Sequence, residues 1–224
     1  MELKVIARIY TDFKEKYGIP RQSGIAKDSV GVIVFEEEYR RAEALRGLEG
    51  YSHLWLLWEF SKSIRREWSP TVRPPRLGGN KRMGVFATRS PFRPNPIGLS
   101  SVKLIGIENR KGQGDVLIVS GADILDGTPI YDIKPYLKFT DSHEDAVGGF
   151  SDGALEYKLN VSFSDSARTK IPPERLSEII TLLENDPRPA YSDDTERIYG
   201  MKLSTLEIFF RVDGTELFVT EIKN

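Results

Sequence analysis

The sequence predicts a mainly β protein, in which an N-terminal β-barrel is followed by a smaller C-terminal α+β domain. Short runs rich in Val, Ile, Leu and aromatic residues recur through the first 140 residues and are separated by turns. So many short strands would leave exposed edges, and closing the sheet into a barrel removes them. From residue 154 onward, one amphipathic helical segment accompanies alternating strand patterns.

The first predicted elements are strands with one short helix among them. Apolar and polar residues alternate in Leu3–Ile9, and Val30–Phe35 is a β-rich run. Glu37–Arg46 carries apolar residues at helical spacing and ends before Gly47, which predicts a helix. His53–Phe60 is apolar on both faces, as in a strand buried on both sides or lying at an interface. Further strands are predicted at Met83–Thr88, Gly98–Ile107 and Asp115–Gly121.

A change of composition separates the two predicted domains. The acidic, glycine-rich stretch 141–153 is predicted to be a linker, which assigns residues 1–140 to the barrel and 154–224 to the second domain. Within the second domain, Leu155–Phe163 alternates strictly and predicts a strand. The remaining predicted elements are a helix opened by Pro172-Pro173 and a hairpin that turns at Asp213-Gly214.

The composition excludes several kinds of site. The chain has no Cys, which rules out disulfides, thiolate nucleophiles and Cys-based zinc sites, and with only two His we predict no metal centre. Its longest apolar runs are far shorter than the ~20 residues that span a bilayer. The N-terminus lacks a secretory signal pattern. We therefore expect a cytoplasmic protein without a membrane partner.

Charge is concentrated in residues 62–93, called here the basic segment. Nine cations and a single acid, Glu67, give it a net charge of +8, and because the whole chain carries −1, the rest carries −9. Trp68 and Phe92 lie within it and offer faces for base stacking. This pattern favours a nucleic acid or another polyanion, whereas the alternative is a solvated surface paired with acids elsewhere. The candidate RNA-binding residues are Arg73, Arg76, Lys81, Arg82 and Arg93.

Three loops carry candidate site residues. Thr88–Gly98 has three prolines within six residues, which predicts a stiff, extended loop carrying two arginines. Such a loop suits a ligand, because groups held in place lose little entropy on binding, but it could equally brace the end of a barrel. Asp123–Asp132 follows a strand and brings carboxylates to a strand end, although Asp126-Gly127 alone indicates only a turn. Pro20–Gly24 is polar and kinked.

Gly84–Gly98 resembles the signature of the TsaA-like family, whose characterised members, called TrmO, are tRNA adenine-N6-methyltransferases. A fifteen-residue, proline-rich signature is far more specific than a short motif. The resemblance covers nearly the whole chain. It extends to Pro20–Gln22, Gly50–Trp55, Arg73–Gly79, Asp126–Pro129, Asp132–Tyr136 and Asp186–Tyr191.

The resemblance implies a barrel-type, S-adenosylmethionine-dependent enzyme that acts as a homodimer. Its substrate would be the anticodon arm of tRNA carrying N6-threonylcarbamoyladenosine at position 37, and the basic segment would hold phosphates. No G-x-G-x-x-G follows a predicted strand, which agrees with a non-Rossmann enzyme. The rival hypothesis is a non-catalytic barrel that binds RNA or a nucleotide-like ligand.

The resemblance also implies site residues. Arg89 or Arg21 could bind the donor carboxylate as a bidentate pair. Asp126 is the first candidate to accept the N6 proton and Asp132 the second, although Asp126 could instead hold a ribose hydroxyl or only shape its turn. Positions 61 and 62 are Ser and Lys, where relatives can carry His and Gln. The implied donor-binding residues are Pro20, Arg21, Gln22, Ser61, Lys62, Arg89, Ser101, Leu104, Asp126, Gly127, Thr128 and Pro129.

Overall fold

In a computed structural model, the chain forms a ring of six strands, a four-stranded sheet and a two-stranded sheet. Residues 2–64, 67–74, 81–154, 157–188 and 194–223 are described. The strands are β1 Ala7–Tyr10, β2 Val30–Phe35, β3 His53–Glu59, β4 Thr71–Val72, β5 Met83–Gly84, β6 Ile97–Arg110, β7 Gly114–Ser120, β8 Thr128–Pro135, β9 Asn160–Phe163, β10 Tyr199–Leu203, β11 Leu206–Asp213 and β12 Glu216–Lys223. The α-helices are α1 Lys138–Asp141, α2 Asp165–Arg168 and α3 Leu176–Glu184. Within these ranges no helix is long and apolar enough to cross a membrane.

The six-stranded sheet closes on itself in the order β1-β2-β7-β6-β3-β8, with every neighbouring pair antiparallel. Its core is made by alternate residues of each strand, because successive side chains of a strand point to opposite faces. In β3, Leu54, Leu56 and Trp58 are buried, whereas Trp55 and Leu57 are partly exposed on the other face. The mainly β class predicted from the sequence is confirmed.

The helix predicted at residues 37–46 is wrong, because three short 3-10 turns connect β2 to β3. Tyr39 and Leu45 from this connection pack, partly buried, against the core of the ring. The helical spacing of its apolar residues therefore reflects contacts made by successive turns, not one continuous helix. The turns are Glu37–Tyr39, Ala42–Leu45 and Leu48–Gly50.

Three strands, β4, β8 and β10, went unpredicted, and several predicted strands are shorter in the structure. β8 pairs with both β1 and β3, although its two prolines and two charged residues hide the strand pattern. β10 was also missed. The strand predicted at Met83–Thr88 is limited to β5 and is followed by a 3-10 turn at Val85–Ala87. Only Asn160–Phe163 of the predicted Leu155–Phe163 strand forms β9, and Leu155 lies outside the described residues.

The four-stranded sheet has the order β10-β11-β12-β9, with β9 parallel to β12. The predicted helix and hairpin are confirmed as α3 and the β11–β12 pair. Gly214 in the hairpin turn has φ of 56°, a conformation that glycine adopts without a steric penalty. Ile179 and Leu183 of α3 are fully buried in one core with Ile208 and Phe210 of β11.

Residues 11–29, called here the connecting segment, leave the ring after β1 and enter the second core before returning as β2. Phe13 and Ala26 are buried among the residues of the second core. Arg175 Nη1 lies 2.6 Å from Asp12 Oδ2, and the Ser29 hydroxyl donates to Glu178 Oε1 at 2.5 Å. Both cores therefore include residues from the N-terminal part of the chain.

Candidate functional site

A cavity of about 460 Å³ lies where the connecting segment meets the six-stranded ring. Its volume falls in the range of small-molecule sites. The proline-rich loop, in which prolines fix several φ angles, supplies one wall. The lining comes from residues 16–22, 55–63, 88–99 and 123–128, with some positions in each range facing elsewhere. The sequence motifs at Pro20–Gln22 and Thr88–Gly98 are thus brought together.

Asp123 lines this cavity and is held by a hydrogen-bonded chain. Trp58 Nε1 donates to Ser100 Oγ at 2.9 Å, and Ser100 Oγ donates to Asp123 Oδ1 at 2.5 Å. Trp58 and Ser100 are both buried, so neither can exchange these partners for bulk water. These two hydrogen bonds fix one oxygen of the Asp123 carboxylate. They thereby define how this carboxylate is oriented where it lines the cavity.

Burial raises the pKa of Asp123 above its ordinary value, although the Ser100 hydrogen bond and the nearby Arg89 charge act in the opposite direction. A raised pKa makes the carboxylate a better proton acceptor than an exposed aspartate. Asp123 lies in the 123–132 segment singled out from the sequence but was not chosen. Its signal is its position three residues after the buried end of β7, next to the buried Ala122, which Asp126 does not share.

Two arginines from the predicted donor set have different surroundings. Arg89 Nη1 donates to Gln22 Oε1 at 2.5 Å, and both residues line the cavity. Arg21 also lines the cavity, but its Nη2 donates to the carbonyl oxygens of Asp186 and Arg188. Of these two residues, Arg89 is the one with no hydrogen bond to the second domain among those described.

Seven of the twelve predicted donor-binding residues line the cavity, and five do not. Ile97, Gly98 and Leu99 at the start of β6 take the place expected of Ser101 and Leu104. Leu104 points into the core of the ring and is only 8% exposed, which explains why it does not reach the cavity. The seven are Pro20, Arg21, Gln22, Ser61, Lys62, Arg89 and Thr128, and the other three outside are Asp126, Gly127 and Pro129.

The two predicted proton acceptors lie outside the cavity and have other partners. Asp126 Oδ1 accepts from the Thr11 amide at 2.9 Å, and its Oδ2 lies 2.8 Å from Lys14 Nζ. It therefore braces the start of the connecting segment. Asp132 lies on β8, where Oδ1 accepts from the amide of the next residue and Oδ2 lies 2.9 Å from Lys134 Nζ. The catalytic assignment of either residue stays a prediction.

A larger cleft of about 1730 Å³ shares part of its lining with the cavity and carries exposed aromatic rings. Phe86 is 72% exposed and Trp68 is 52% exposed, and their rings stack with centroids 6.2 Å apart and an interplanar angle of 30°. Trp68 and Phe92 are the two rings predicted from the sequence, and Phe92 also lines the cleft but is half-buried. Phe86 was missed because its place in a predicted strand gave no sign of exposure.

The predicted RNA-binding residues are not equivalent. Arg73 is exposed and lines the larger cleft, and Lys81 is also exposed. Arg82 Nη1 donates to Thr71 Oγ1 at 3.0 Å. Arg93 is half-buried, and its Nη1 donates to the Thr88 carbonyl at 2.7 Å, which ties down the proline-rich loop. Arg76 lies outside the described residues.

Two family models match the chain. The model of the tRNA-methyltransferase O N-terminal domain matches residues 8–142. The model of the TrmO C-terminal domain matches residues 156–224. The first match spans the six-stranded ring with its cavity, and the second spans the four-stranded sheet.

Individual proteins agree with the family models. The chain is 41% identical over 230 residues to the tRNA (adenine(37)-N6)-methyltransferase of Escherichia coli K12, covering 98% of this chain and 97% of the relative. It is 40% identical over 220 residues to a Pseudomonas aeruginosa protein named as the S-adenosylmethionine-dependent methyltransferase RcsF, covering 95% and 93%. A crystal structure of TrmO from P. aeruginosa superposes with a TM-score of 0.81 at 33% identity, covering 100% of this chain and 97% of that one.

Proposed function

The chain belongs to the TrmO family of tRNA methyltransferases, and from this premise we propose that it transfers a methyl group from S-adenosylmethionine to N6 of adenine 37 in tRNA. The observation that carries the proposal is the cavity in which seven residues implied by the family resemblance meet the buried Trp58–Ser100–Asp123 chain. The scaffold is the six-stranded barrel, without a Rossmann nucleotide motif.

The residues of the cavity suit the methyl donor in size and chemistry. Its volume of about 460 Å³ accommodates a nucleoside-sized ligand, and Pro20, Leu99 and Leu125 offer apolar surface for an adenine ring. Arg89, which lines the cavity, is the cation that binds the carboxylate of the donor. When bound, S-adenosylmethionine supplies an electrophilic methyl group on a sulfonium sulfur. The stiff loop 88–98 orients its groups before binding, which lowers the entropy lost in positioning.

We assign the proton transfer to Asp123. The N6 nitrogen of adenine loses one proton when it gains the methyl group, and the Asp123 carboxylate accepts that proton. Glu59 also lines the cavity, but it accepts a hydrogen bond from Tyr131. Asp126 and Asp132 remain competing assignments, and their lysine partners weigh against them.

We propose that the methylated adenine carries a threonylcarbamoyl group on N6. That modification adds a carboxylate, which requires a cation beside the cavity. Arg73 suits this role better than Arg93, because Arg73 is exposed in the larger cleft whereas Arg93 already donates to loop carbonyls. The remaining cations of the basic segment then bind phosphates of the anticodon arm, and Phe86 and Trp68 stack against its bases.

A homodimer in the cytoplasm, where tRNA is modified, is the assembly we propose. The outer face of β3 and β6 supports it, since Leu57 lies opposite Leu99 and both are apolar. Leu99 and Ile105 are each more than half exposed. Burying these apolar side chains favours association, although Ser101 and Lys103 lie between Leu99 and Ile105 on the same face of β6. Light scattering should give a mass twice that of the chain, and Ile105→Lys should shift it toward the monomer.

We propose that the chain is divided into a catalytic barrel domain at residues 1–140, a linker at 141–153, and a small α+β domain at 154–224.

Label transfer tests the proposed activity. The protein is incubated with S-adenosylmethionine labelled in its methyl group and with tRNA that carries or lacks the threonylcarbamoyl group. We expect label only in the modified tRNA. Label in both forms of the tRNA would support the methyltransferase activity but contradict the requirement for the threonylcarbamoyl group. Binding of tRNA without any label transfer would favour the alternative of a non-catalytic RNA-binding barrel.

The role of Asp123 is tested by replacing its carboxylate. Asp123→Asn should lower kcat roughly 100- to 10,000-fold, the usual contribution of a general base, while donor affinity stays within a few fold. Asp115→Asn, on the partly exposed end of β7 and outside the cavity, is the matched control and should retain full activity. A large loss in Asp126→Asn with normal turnover in Asp123→Asn would transfer the role to Asp126.

A further inference from the structure

Arg21 joins the donor cavity to the second domain. Its Nη2 donates to the carbonyl oxygens of Asp186 at 2.8 Å and of Arg188 at 3.0 Å. Both acceptors lie in the turn that follows α3, more than 160 residues away along the chain. The guanidinium therefore contacts the second domain while its neighbours in sequence line the cavity.

The turn that receives Arg21 is held rigid by a buried ion pair. Asp186 has φ of 51°, a left-handed conformation that is uncommon for residues other than glycine. Its carboxylate accepts from Arg188 Nε and Nη2, both at 2.8 Å. Asp186 is 1% exposed and Arg188 is 5% exposed. A bidentate pair with this burial fixes the backbone whose carbonyls bind Arg21.

On the other side of Arg21, the chain continues directly into the cavity wall. Pro20 is buried and has a fixed φ, so the backbone before Arg21 has little freedom. Gln22 follows Arg21 and accepts the hydrogen bond from Arg89. Moving the Arg21 side chain from its carbonyls would release Gln22, and with it the partner that orients Arg89.

We propose that Arg21 is a positioning residue: by binding the Asp186–Arg188 turn, it holds Gln22 and Arg89 in the arrangement that binds the methyl donor. The second domain thereby controls donor affinity, in addition to any contact that it makes with RNA. The inference rests on the proposed function in one respect only, that the cavity binds the donor.

Calorimetric titration with S-adenosylhomocysteine, a stable analogue of the donor, measures the effect. Arg21→Met removes the two hydrogen bonds and keeps the aliphatic stem, and it should weaken binding roughly 10- to 100-fold. Arg188→Met should weaken binding in the same direction, although Arg188 is not among the residues that line the donor cavity. The double variant should be no weaker than the weaker single variant, because both changes break one contact. The KM for tRNA should change far less than the donor affinity.

Lys202→Met is the matched control. Lys202 Nζ lies 3.1 Å from Glu15 Oε1, an exposed ion pair that also joins the connecting segment to the second sheet but lies outside the cavity. This variant should bind the analogue like the unmodified protein. If Arg188→Met fails to fold by circular dichroism, Asp186→Asn replaces it, since it removes the charge of the same pair.

Three outcomes would overturn the inference. Unchanged affinity in folded Arg21→Met contradicts it directly. Weakened binding in Arg21→Met alone, with normal binding in a folded turn variant, would mean that Arg21 contacts the donor itself. Equal weakening in Lys202→Met would mean that any loosening of the domains suffices. Failure of the unmodified protein to bind the analogue would instead count against the proposed function. The titration of the unmodified protein comes first, so this outcome is distinguished from a failure of the inference about Arg21.

Discussion

Removing the Ser100 hydroxyl should weaken the fold and shift the pH dependence of the reaction together. Ser100→Ala leaves two groups without their partner, the Trp58 indole N–H and Asp123 Oδ1. The indole is 6% exposed, so its lost hydrogen bond costs about 1–3 kcal/mol, and the carboxylate, which faces the cavity, adds a smaller amount. We expect the free energy of unfolding to fall by about 2–4 kcal/mol.

The same change acts on the proton acceptor. The Ser100 hydrogen bond lowers the pKa of Asp123, so its loss raises that pKa further above the ordinary value. Asp123 works as a base only when it is ionised, and activity therefore falls as the pH drops through its pKa. In Ser100→Ala the acidic limb of the kcat/KM profile should move to higher pH.

Urea unfolding and a pH–rate profile measure the two effects. Ser177→Ala, which removes an exposed hydrogen bond to Asp28, is the control and should leave both unchanged. An acidic limb at the same pH in Ser100→Ala and in the unmodified protein would refute the assignment of this limb to Asp123. A shifted limb without loss of stability would show that the buried indole finds another partner.

Two further changes test the walls of the site. Gly98→Ala would drive a methyl group into the Trp58 indole and should lower the free energy of unfolding, measured in urea, by about 1–3 kcal/mol. Gly84→Ala is the control, because the space at that position is open, and an equal loss of stability in both variants would contradict the packing argument. Phe86→Ala should raise the KM for tRNA roughly 5- to 150-fold if its exposed ring stacks on one base, and it should leave the donor affinity unchanged. An unchanged KM for tRNA would show that Phe86 does not contact the RNA.

The strands of this fold could be predicted where burial on one face imposes alternation. β11 is such a case, with Leu206, Ile208 and Phe210 buried and the residues between them more exposed. β8 could not be predicted this way, because it lies between two partners yet contains Pro129 and Pro135. Periodicity also failed in the β2–β3 connection, where separate turns place apolar residues at the same spacing as a helix.

The site was predictable as a set of motifs but not as a geometry. The proline-rich loop and the Pro20–Gln22 motif meet at the cavity, and neither carries in its sequence the position of the other. Asp123 and Asp126 lie in one short segment, and the direction in which each carboxylate points depends on the Ser100 and Thr11 hydrogen bonds, which the sequence pattern does not specify. The contact of Arg21 with the second domain joins residues far apart in the chain, and no local pattern encodes it.

The most direct test of N6 methylation at adenine 37 is to isolate the nucleoside from this position of the treated tRNA and to determine its mass and fragmentation. We expect one added methyl group, on N6, after reaction with the unmodified protein, and little or none after reaction with Asp123→Asn. A methyl group at another position of the tRNA, or an unmethylated adenine 37 in the presence of bound donor, would contradict it.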